Sequence, residues 1–442
     1  MRTENNKPNQ SCLMKNRTTT LLLLLAFILC SMISSCKKVY EPVSKLSELV
    51  MHDKFGNLYD ELTINRGKYK EESILFYDII LNSVTNKPAL SNELIGKFRK
   101  QFTSDNDTVN YYLTQTEYNN YVKLCDYRKL YEIGGTLIDK YQSFADSSDY
   151  IELKDDQIRY GILKNEKPIE LVKLADTKLT IKRDLAGYTL MPLKSSNDST
   201  VDFVFDTGAN VNAIIESAAK KMNLRIIPNS TIHVMGATGA RSEAHIGIAD
   251  KITLNNMEMH NVEFVIFADS LFTFAGGRYI INGTVGFPIF SRFEEFTYTD
   301  STLFVPKIPS LKSGEPNMFI KLDDYILSVG YKGRKYSFFF DTGNMNTFFM
   351  SEFYKTDPAT FSPLKDTILS YAGVGGSSQI KAKRPAEVTL NFAGKDFRLI
   401  KPFVETESEH RNKFLYGSIG KDFMGKYKTR IMSFREARIE VE

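Results

Sequence analysis

The sequence contains no tryptophan, and its 442 residues include only four cysteines and five histidines. The cysteines form no paired Cys-x-x-Cys spacing, which excludes a cysteine-rich zinc domain. The formal net charge is only +4, which gives no reason to expect a nucleic-acid partner. Because 42% of the residues are hydrophobic, the chain can bury a full core. These absences leave a globular protein that depends on its core for stability.

The N-terminus has one apolar run, residues 21–33, which follows Lys15 and Arg17. This is the length of a signal-peptide hydrophobic region and is short for a membrane-spanning helix. The run ends in Ile33-Ser34-Ser35-Cys36, which resembles the lipobox of bacterial lipoproteins. The resemblance implies a signal peptide over residues 1–35 and a lipid on Cys36. It also implies a lipid anchor in a membrane of the bacterial cell envelope, on its periplasmic or cell-surface face.

A plain secretory signal with an incidental cysteine is the alternative. On the lipoprotein interpretation, Cys12 and Cys30 leave with the signal peptide and Cys36 carries the lipid. Cys125 then remains alone, so no intramolecular disulfide is expected in the mature chain.

Residues 36–165 are predicted to form a helical domain. Apolar residues recur at helical spacing in the segment Glu71–Val84. The sequence from Thr114 to Glu117 has the pattern of a capping box, which predicts the start of a helix. Gly134 and Gly135 are expected to interrupt the helix before a further short one.

From about residue 168 the pattern changes to that of an all-β body. Short β-branched and aromatic runs alternate with glycine, asparagine and aspartate, which predicts closely spaced strands and turns. The predicted strands include Leu179–Ile181, Tyr188–Leu193, Val201–Phe205, Ile252–Leu254 and Val262–Phe267. Residues 306–316 contain three prolines and predict a connector, which places one β domain at 166–310 and a second at 311–442.

The strongest signal is an internal repeat. The segment Val204–Gly208 reads Val-Phe-Asp-Thr-Gly, and Phe339–Gly343 reads Phe-Phe-Asp-Thr-Gly, 135 residues later. Two further landmarks follow each copy in the same order. They are a glycine-containing segment, Met235–Gly239 and Ala372–Gly376, and a second segment, Gly283–Phe290 and Gly417–Met424. This order indicates a duplicated β domain.

Each copy offers one carboxylate at the end of an apolar strand. Two such carboxylates brought face to face cannot both ionise easily and share one proton over a broad pH range. The charged member can accept a proton from water, while the neutral member donates one to a substrate carbonyl. This chemistry cleaves an amide by direct attack of water, so no cofactor and no metal are expected.

The landmarks resemble those of retropepsin-like and pepsin-like aspartic peptidases over roughly residues 170–442. The resemblance implies two tandem closed β-barrels, a monomer with an internal pseudodimer and extended polypeptides as substrates. Asp206 and Asp341 would be the catalytic pair. The loops would be supported by Thr207, Gly208, Thr342 and Gly343, with Thr284-Val285-Gly286 and Ser418-Ile419-Gly420 packed beneath them. The substrate-binding flaps would contain Gly236, Ala237, Thr238 and Gly239, and Gly373, Val374, Gly375 and Gly376.

This sequence departs from the family pattern in the second half. Ala209 follows the first Asp-Thr-Gly as the family pattern expects, but Asn344 follows the second. Each segment of the pattern hydrophobic-Gly also begins with a polar residue, Thr284 or Ser418. Asn344 raises the expectation that the second loop is where activity is reduced or specialised.

Other interpretations remain open to different degrees. A subtilase would need a catalytic histidine and a Gly-Thr-Ser nucleophile segment, which the sequence lacks. His233, His245 and His260 have spacings that match no metal motif. The main alternative is a peptide-binding or scaffolding lipoprotein that keeps the fold with weak or no hydrolysis. A third interpretation gives the helical domain the main role, as an interaction platform on which the β body depends. The helical segment could equally be a propeptide that covers the cleft, but no basic processing site or activation motif stands out, so it is interpreted as a permanent domain.

Overall fold

The computed structural model describes residues 42–102, 107–236, 240–373, 376–407 and 414–442. The predicted signal peptide and the lipidation site Cys36 lie outside these ranges. So do the flap residues Ala237, Thr238, Gly239, Val374 and Gly375. Among the helices in the described ranges, none combines the length and the apolar character needed to cross a membrane.

The N-terminal part is helical, as the sequence predicts. Its α-helices are α1 Pro42–Met51, α2 Phe55–Asn65, α3 Glu71–Val84, α4 Pro88–Gln101, α5 Asp107–Leu124, α6 Tyr127–Tyr141 and α7 Ser147–Leu163. Local signals set several helix starts. Pro88 occupies the first turn of α4, where a missing N–H costs nothing. Asp126 caps α6 and Asp146 caps α7 by accepting hydrogen bonds from backbone N–H groups of the first turn.

Two local predictions are wrong. Thr114 does not cap a helix, since it lies in the middle of α5 and donates its hydroxyl proton to the Asn110 carbonyl at 2.7 Å. Gly134 and Gly135 do not interrupt the chain, since both lie inside α6. A side chain at Gly134 would lie against Gln157 of α7 and Tyr118 of α5, so the helix packs closely at this position in spite of glycine's low helix propensity.

The rest of the described chain is mainly β-structure. Its strands are β1 Glu170–Lys173, β2 Thr177–Thr180, β3 Lys182–Arg183, β4 Thr189–Ser195, β5 Thr200–Phe205, β6 Ala213–Ile215, β7 Arg225–Ile226, β8 Ile232–Met235, β9 Arg241–Leu254, β10 Met257–Phe267, β11 Thr273–Phe274, β12 Tyr279–Ile280, β13 Gly283–Val285, β14 Glu295–Tyr298, β15 Thr302–Val305, β16 Met318–Lys321, β17 Asp324–Tyr331, β18 Arg334–Phe340, β19 Phe348–Phe349, β20 Asp366–Gly373, β21 Gly376–Lys383, β22 Glu387–Phe392, β23 Lys395–Ile400, β24 Phe403–Glu405, β25 Gly417–Ile419, β26 Arg430–Ser433 and β27 Arg438–Val441.

Short helices connect some of these strands. They are α8 Glu216–Lys221, α9 Phe287–Phe290, α10 Ser351–Thr356, α11 Pro358–Phe361 and α12 Lys421–Met424. The predicted connector has neither helix nor strand between β15 and β16. Cys125 is free and buried.

The strands form two large sheets, one in each half of the β body. In the first half, pairing runs through β10, β6, β13, β5, β4 and β9 and returns to β10, so these strands complete a ring. In the second half, pairing within the described residues runs in an open path from β20 to β23. The fold is therefore a mixed α and β, aspartic-protease-like fold, while the expectation of two closed barrels is not confirmed.

A third sheet takes strands from both halves. Its order is β2-β15-β14-β26-β27. Strand β14 pairs antiparallel with β26, from Glu295 opposite Ser433 to Tyr298 opposite Arg430. The buried Glu295 carboxylate accepts hydrogen bonds from Ser310 and from the Leu311 N–H, which fixes the connector against this sheet. The two halves are thus joined by backbone hydrogen bonds as well as by side chains.

The helical region packs on both halves of the β body. Phe55 and Leu58 of α2 share a buried cluster with Phe319 of β16 and Ile326 of β17. On the other side, the Asp155 carboxylate of α7 binds the Arg241 guanidinium of β9 at 2.5 Å. Helices α2 and α3 therefore pack on the second half, and α7 contacts the first half.

Candidate active site

Each Asp-Thr-Gly loop begins where a buried strand ends. Strand β5 delivers Asp206 and strand β18 delivers Asp341, and each strand runs parallel to a short strand beside it. The Asp206 N–H donates to the Val285 carbonyl at 3.1 Å, and the Asp341 N–H donates to the Ile419 carbonyl at 3.0 Å. The segments Thr284–Gly286 and Ser418–Gly420 therefore accept backbone hydrogen bonds from the two aspartates.

Thr207 and Thr342 join the two loops by reciprocal hydrogen bonds. The Thr207 N–H donates to Thr342 Oγ1 at 2.9 Å, and the Thr342 N–H donates to Thr207 Oγ1 at 2.9 Å. Each hydroxyl in turn donates across the halves, Thr207 to the Phe340 carbonyl and Thr342 to the Phe205 carbonyl. Both threonines are buried. Four hydrogen bonds thus fix the relative position of the loops.

This arrangement brings the two carboxyl groups together. The side chains of Asp206 and Asp341 are in hydrogen-bonding contact. The Gly208 N–H donates to Asp206 Oδ1 at 2.9 Å, and the Gly343 N–H donates to Asp341 Oδ1 at 2.8 Å. A methyl group on Gly208 would overlap the Asp341 carboxyl group, and one on Gly343 would overlap that of Asp206. The close approach therefore requires both glycines.

The environment favours the protonated form of both acids. Burial raises the pKa of Asp206 above its ordinary value, against the hydrogen bonds that it accepts. Burial and then the negative charge of Asp206 raise the pKa of Asp341 well above its ordinary value. The two acids form one coupled pair, which retains a proton to higher pH than an isolated aspartate does.

Glycine lets a second layer pack directly under the loops. A side chain at Gly286 would overlap the Ala209 carbonyl, and one at Gly420 would collide with the backbone of Asn344 and Asn346. The Gly286 N–H donates to Asn212 Oδ1 at 3.2 Å. In the second half, the Gly420 N–H donates to Thr347 Oγ1 at 3.0 Å. Together, these two glycines and their partners Asn212 and Thr347 form a layer that supports the two Asp-Thr-Gly loops.

Asn344 contacts the site through its backbone. Its N–H donates to Asp341 Oδ1 at 3.1 Å, and its carbonyl accepts from the Lys421 N–H at 2.8 Å. Its side-chain oxygen accepts from the Asn346 N–H at 3.3 Å. The bonds to the loop and its support therefore come from backbone atoms that any residue provides.

The predicted flaps lie on two antiparallel hairpins. Strands β8 and β9 form one, and the Gly236 N–H donates to the Ala240 carbonyl at 2.9 Å at its end. Strands β20 and β21 form the other, with Gly373 opposite Gly376. The residues between these positions lie outside the described ranges, so the contact of the flaps with substrate stays a prediction.

The sequence analysis missed Tyr188 as a site residue. The Tyr188 side chain is half-buried beside the catalytic loops, and burial, followed by the charges of Asp206 and Asp341, raises the pKa of its phenol. The register of β4 on β5 pairs Leu190 with Val204, so continuing the ladder by two residues brings Tyr188 opposite Asp206. This ladder position could be inferred from sequence only with the strand register in hand.

Comparisons with known proteins agree with this geometry. The sequence model of one family, described as Aspartyl protease, matches residues 192–287, which include Asp206 but not Asp341. No curated protein sequence matches the chain. The match to the family over part of the first half and the paired loops support an aspartic-protease-like fold.

The comparison with solved structures finds matches that share little sequence with this chain. Conglutin gamma from lupine seeds is 10% identical with a TM-score of 0.40, over 61% of this chain and 95% of its own. Basic 7S globulin from soybean is 11% identical with a TM-score of 0.38, over 61% of this chain and 94% of its own. A retropepsin-like aspartic protease from Rickettsia conorii is 18% identical with a TM-score of 0.22, over 29% of this chain and 97% of its own.

Proposed function

We propose that this protein is an aspartic endopeptidase that hydrolyses extended polypeptides with a water molecule activated between Asp206 and Asp341. The observation that carries the proposal is the cross-bonding of Thr207 and Thr342, which holds two buried carboxyl groups in contact. The two tandem halves then supply one aspartate each within a single chain. A second copy of the chain is not needed for a complete site, so the active form is a monomer with an internal pseudodimer.

The pKa directions suggest how the two acids divide the work. Asp341, with its pKa raised well above the ordinary value, keeps the shared proton and donates it to the carbonyl oxygen of the scissile bond. Asp206 accepts a proton as the water oxygen attacks the carbonyl carbon. The resulting tetrahedral carbon expels the amide nitrogen, which leaves as an amine after taking up the proton from Asp206, while a hydroxyl of that carbon returns its proton to Asp341 as the new carbonyl forms. No metal and no covalent intermediate enter this sequence of steps.

The test is cleavage of a peptide library by the wild-type protein and by Asp206→Asn and Asp341→Asn. Both variants keep the size of the side chain and its accepting oxygen but remove the acid. We expect cleavage by the wild-type protein, inhibition by pepstatin and loss of at least about a thousandfold in kcat in each variant. Equal cleavage by all three proteins would contradict the mechanism. Binding of peptides without any cleavage by the wild-type protein would favour the scaffolding alternative.

We also propose that the chain is a lipoprotein of the bacterial cell envelope, anchored through Cys36. The proposal rests on the apolar run and on the segment Ile33–Cys36 in the sequence. Metabolic labelling with a fatty acid should mark the wild-type protein and the Cys30→Ser control. It should not mark Cys36→Ser. Labelling of Cys36→Ser would reject the anchor site.

A further inference from the structure

The two halves carry turns of different length at equivalent positions beside the catalytic pair. In the first half, the turn Asp184–Tyr188 joins β3 to β4, where Arg183 pairs with Thr189. In the second half, Leu322 and Asp323 alone join β16 to β17, where Lys321 pairs with Asp324. The ladder of β17 on β18 pairs Ile326 with Phe339, so Asp324 faces Asp341 as Tyr188 faces Asp206. The duplication therefore places one turn on each side of the carboxyl pair.

The helical region contacts the turn of the second half. The Lys321 ammonium binds both carboxylate oxygens of Asp53, between α1 and α2, at 2.9 Å. The Asp323 carboxylate accepts a hydrogen bond from Asn210 of the first catalytic loop at 2.7 Å. The charges of Asp156 and Arg159 on α7 also act on Asp323. The chain's own residues Asp53 and Asn210 therefore engage this turn.

The turn of the first half is open to solvent but held rigidly. Asp184 accepts a hydrogen bond from the Tyr188 N–H at 2.8 Å and another from the Tyr279 hydroxyl. The Gly187 carbonyl accepts a hydrogen bond from the Lys421 ammonium of the other half. Gly187 has a φ of +87°, a value that glycine adopts without strain. The backbone of this turn is therefore fixed from both halves before any ligand arrives.

Two side chains of this turn have no role in holding it. Leu185 is 96% exposed, the highest value among the exposed large hydrophobic residues of the described chain. The Tyr188 hydroxyl makes no hydrogen bond to any residue within the described ranges, although the phenol lies near both carboxyl groups. A rigid turn that presents one apolar side chain and one free hydroxyl beside a reaction centre has the features of a ligand-binding element.

We propose that the Asp184–Tyr188 turn is the substrate-recognition element of a one-sided cleft. The Tyr188 hydroxyl hydrogen-bonds the backbone of a bound peptide, and Leu185 contacts an apolar side chain of that peptide. Because Asp53 and Asn210 already engage the equivalent turn of the second half, recognition depends mainly on residues to one side of the scissile bond. This inference rests on the proposed peptidase function and adds a specificity determinant to it.

The experiment measures steady-state kinetics and library cleavage profiles for the wild-type protein, Tyr188→Phe, Leu185→Ala and Leu185→Lys. Tyr188→Phe removes only the hydroxyl, so KM should rise about three- to tenfold while kcat stays within about twofold. Leu185→Lys should change the preferred side chain at one substrate position from apolar to acidic. Ile308→Ala is the matched control, because Ile308 is 77% exposed in the connector and should leave both readouts unchanged.

A binding measurement separates this inference from the function on which it rests. Fluorescence anisotropy of a labelled library peptide is measured with Asp206→Asn and with Asp206→Asn carrying Tyr188→Phe. The added change should weaken binding by about three- to tenfold. Cleavage by the wild-type protein with unchanged KM, profile and peptide binding in the turn variants would overturn the inference alone. Absence of both cleavage and peptide binding in the wild-type protein would overturn the proposed function and this inference together.

Discussion

Arg159 of helix α7 binds the Glu263 carboxylate of strand β10 through two hydrogen bonds of 2.7 and 2.9 Å. The side chains are only 13% and 4% exposed. The Glu263 carbonyl accepts from the Asn212 amide at 3.0 Å, and the oxygen of the same amide accepts from the Gly286 N–H. A continuous series of hydrogen bonds therefore leads from the helical region to the segment beneath the Asp206 loop.

The first prediction concerns this ion pair. Arg159→Met should lower the free energy of unfolding by about 3–5 kcal/mol, because it leaves the buried Glu263 carboxylate without its partner. Urea denaturation followed by circular dichroism measures the change. The double variant Arg159→Met with Glu263→Met should recover most of the loss, since no uncompensated charge then remains.

The single variant Arg159→Met and removal of the helices also test how far the β body depends on the helical region. If Arg159→Met costs less than about 1 kcal/mol, the pair does not connect the helices to the β body in solution. A helical region that is a separable propeptide would also leave the β body folded after its removal. We expect instead that loss of α7 unfolds the first half.

The second prediction concerns the threonine bonds between the loops. Thr342→Val keeps the shape of the side chain but leaves the Thr207 N–H and the Phe205 carbonyl without a partner. Each unsatisfied buried group costs about 1–3 kcal/mol, so the free energy of unfolding should fall by about 2–5 kcal/mol and peptidase activity should be lost. Thr342→Ser retains the hydroxyl, so it should retain more than half of the unfolding free energy that Thr342→Val loses. Equal losses in the two variants would show that volume, and not the hydroxyl, matters here.

The third prediction follows from the raised pKa of Asp341. The folded protein binds this proton more tightly than the unfolded chain, so the contribution of Asp341 to stability is fully present at low pH. It is lost as pH rises from the ordinary aspartate pKa of about 4 through the raised value in the folded protein. Asp341→Asn removes this loss and should raise Tm at pH 7 by several degrees relative to the wild-type protein. Differential scanning calorimetry at pH 4 and pH 7 measures it, and a smaller gain at pH 7 than at pH 4 would contradict the sign.

The fourth prediction concerns Asn344, the residue that departs from the family pattern. Its bonds to Asp341 and from Lys421 involve backbone atoms, and within the described ranges its side chain hydrogen-bonds the Asn346 N–H. Asn344→Ala should therefore change kcat/KM by less than about threefold. A large gain in activity would show instead that the asparagine side chain restrains the second loop.

The sequence predicts the local elements that carry the two aspartates. It does not predict how the helical region contacts the site. Helix α3 occupies the range Glu71–Val84 that helical periodicity predicts, and both aspartates follow predicted apolar strands. The spacing of hydrophobic residues predicts such local helices and strands well. The capping-box pattern at Thr114 failed because that stretch lies inside a longer helix.

Contacts between segments that are distant in the sequence could not be predicted from the sequence. The pairing of β14 with β26 joins segments about 135 residues apart, and no local pattern in Glu295–Tyr298 specifies its partner. The ion pair of Arg159 with Glu263 is of the same kind, because either residue alone is typical of a protein surface. The contact between the helical region and the second turn likewise depends on Asp53 and Lys321, which lie 268 residues apart.

The sheet shared by both halves also sets an order for folding. Strand β14 can pair with β26 only after β26 has been synthesised. Strand β26 in turn pairs with β27, which ends at Val441. During synthesis, the segment that carries Asp206 therefore emerges long before the sheet that joins the two halves can close. Under the proposed function, a nascent or truncated chain that ends before Asp341 carries only one of the two acids, so we expect it to be inactive.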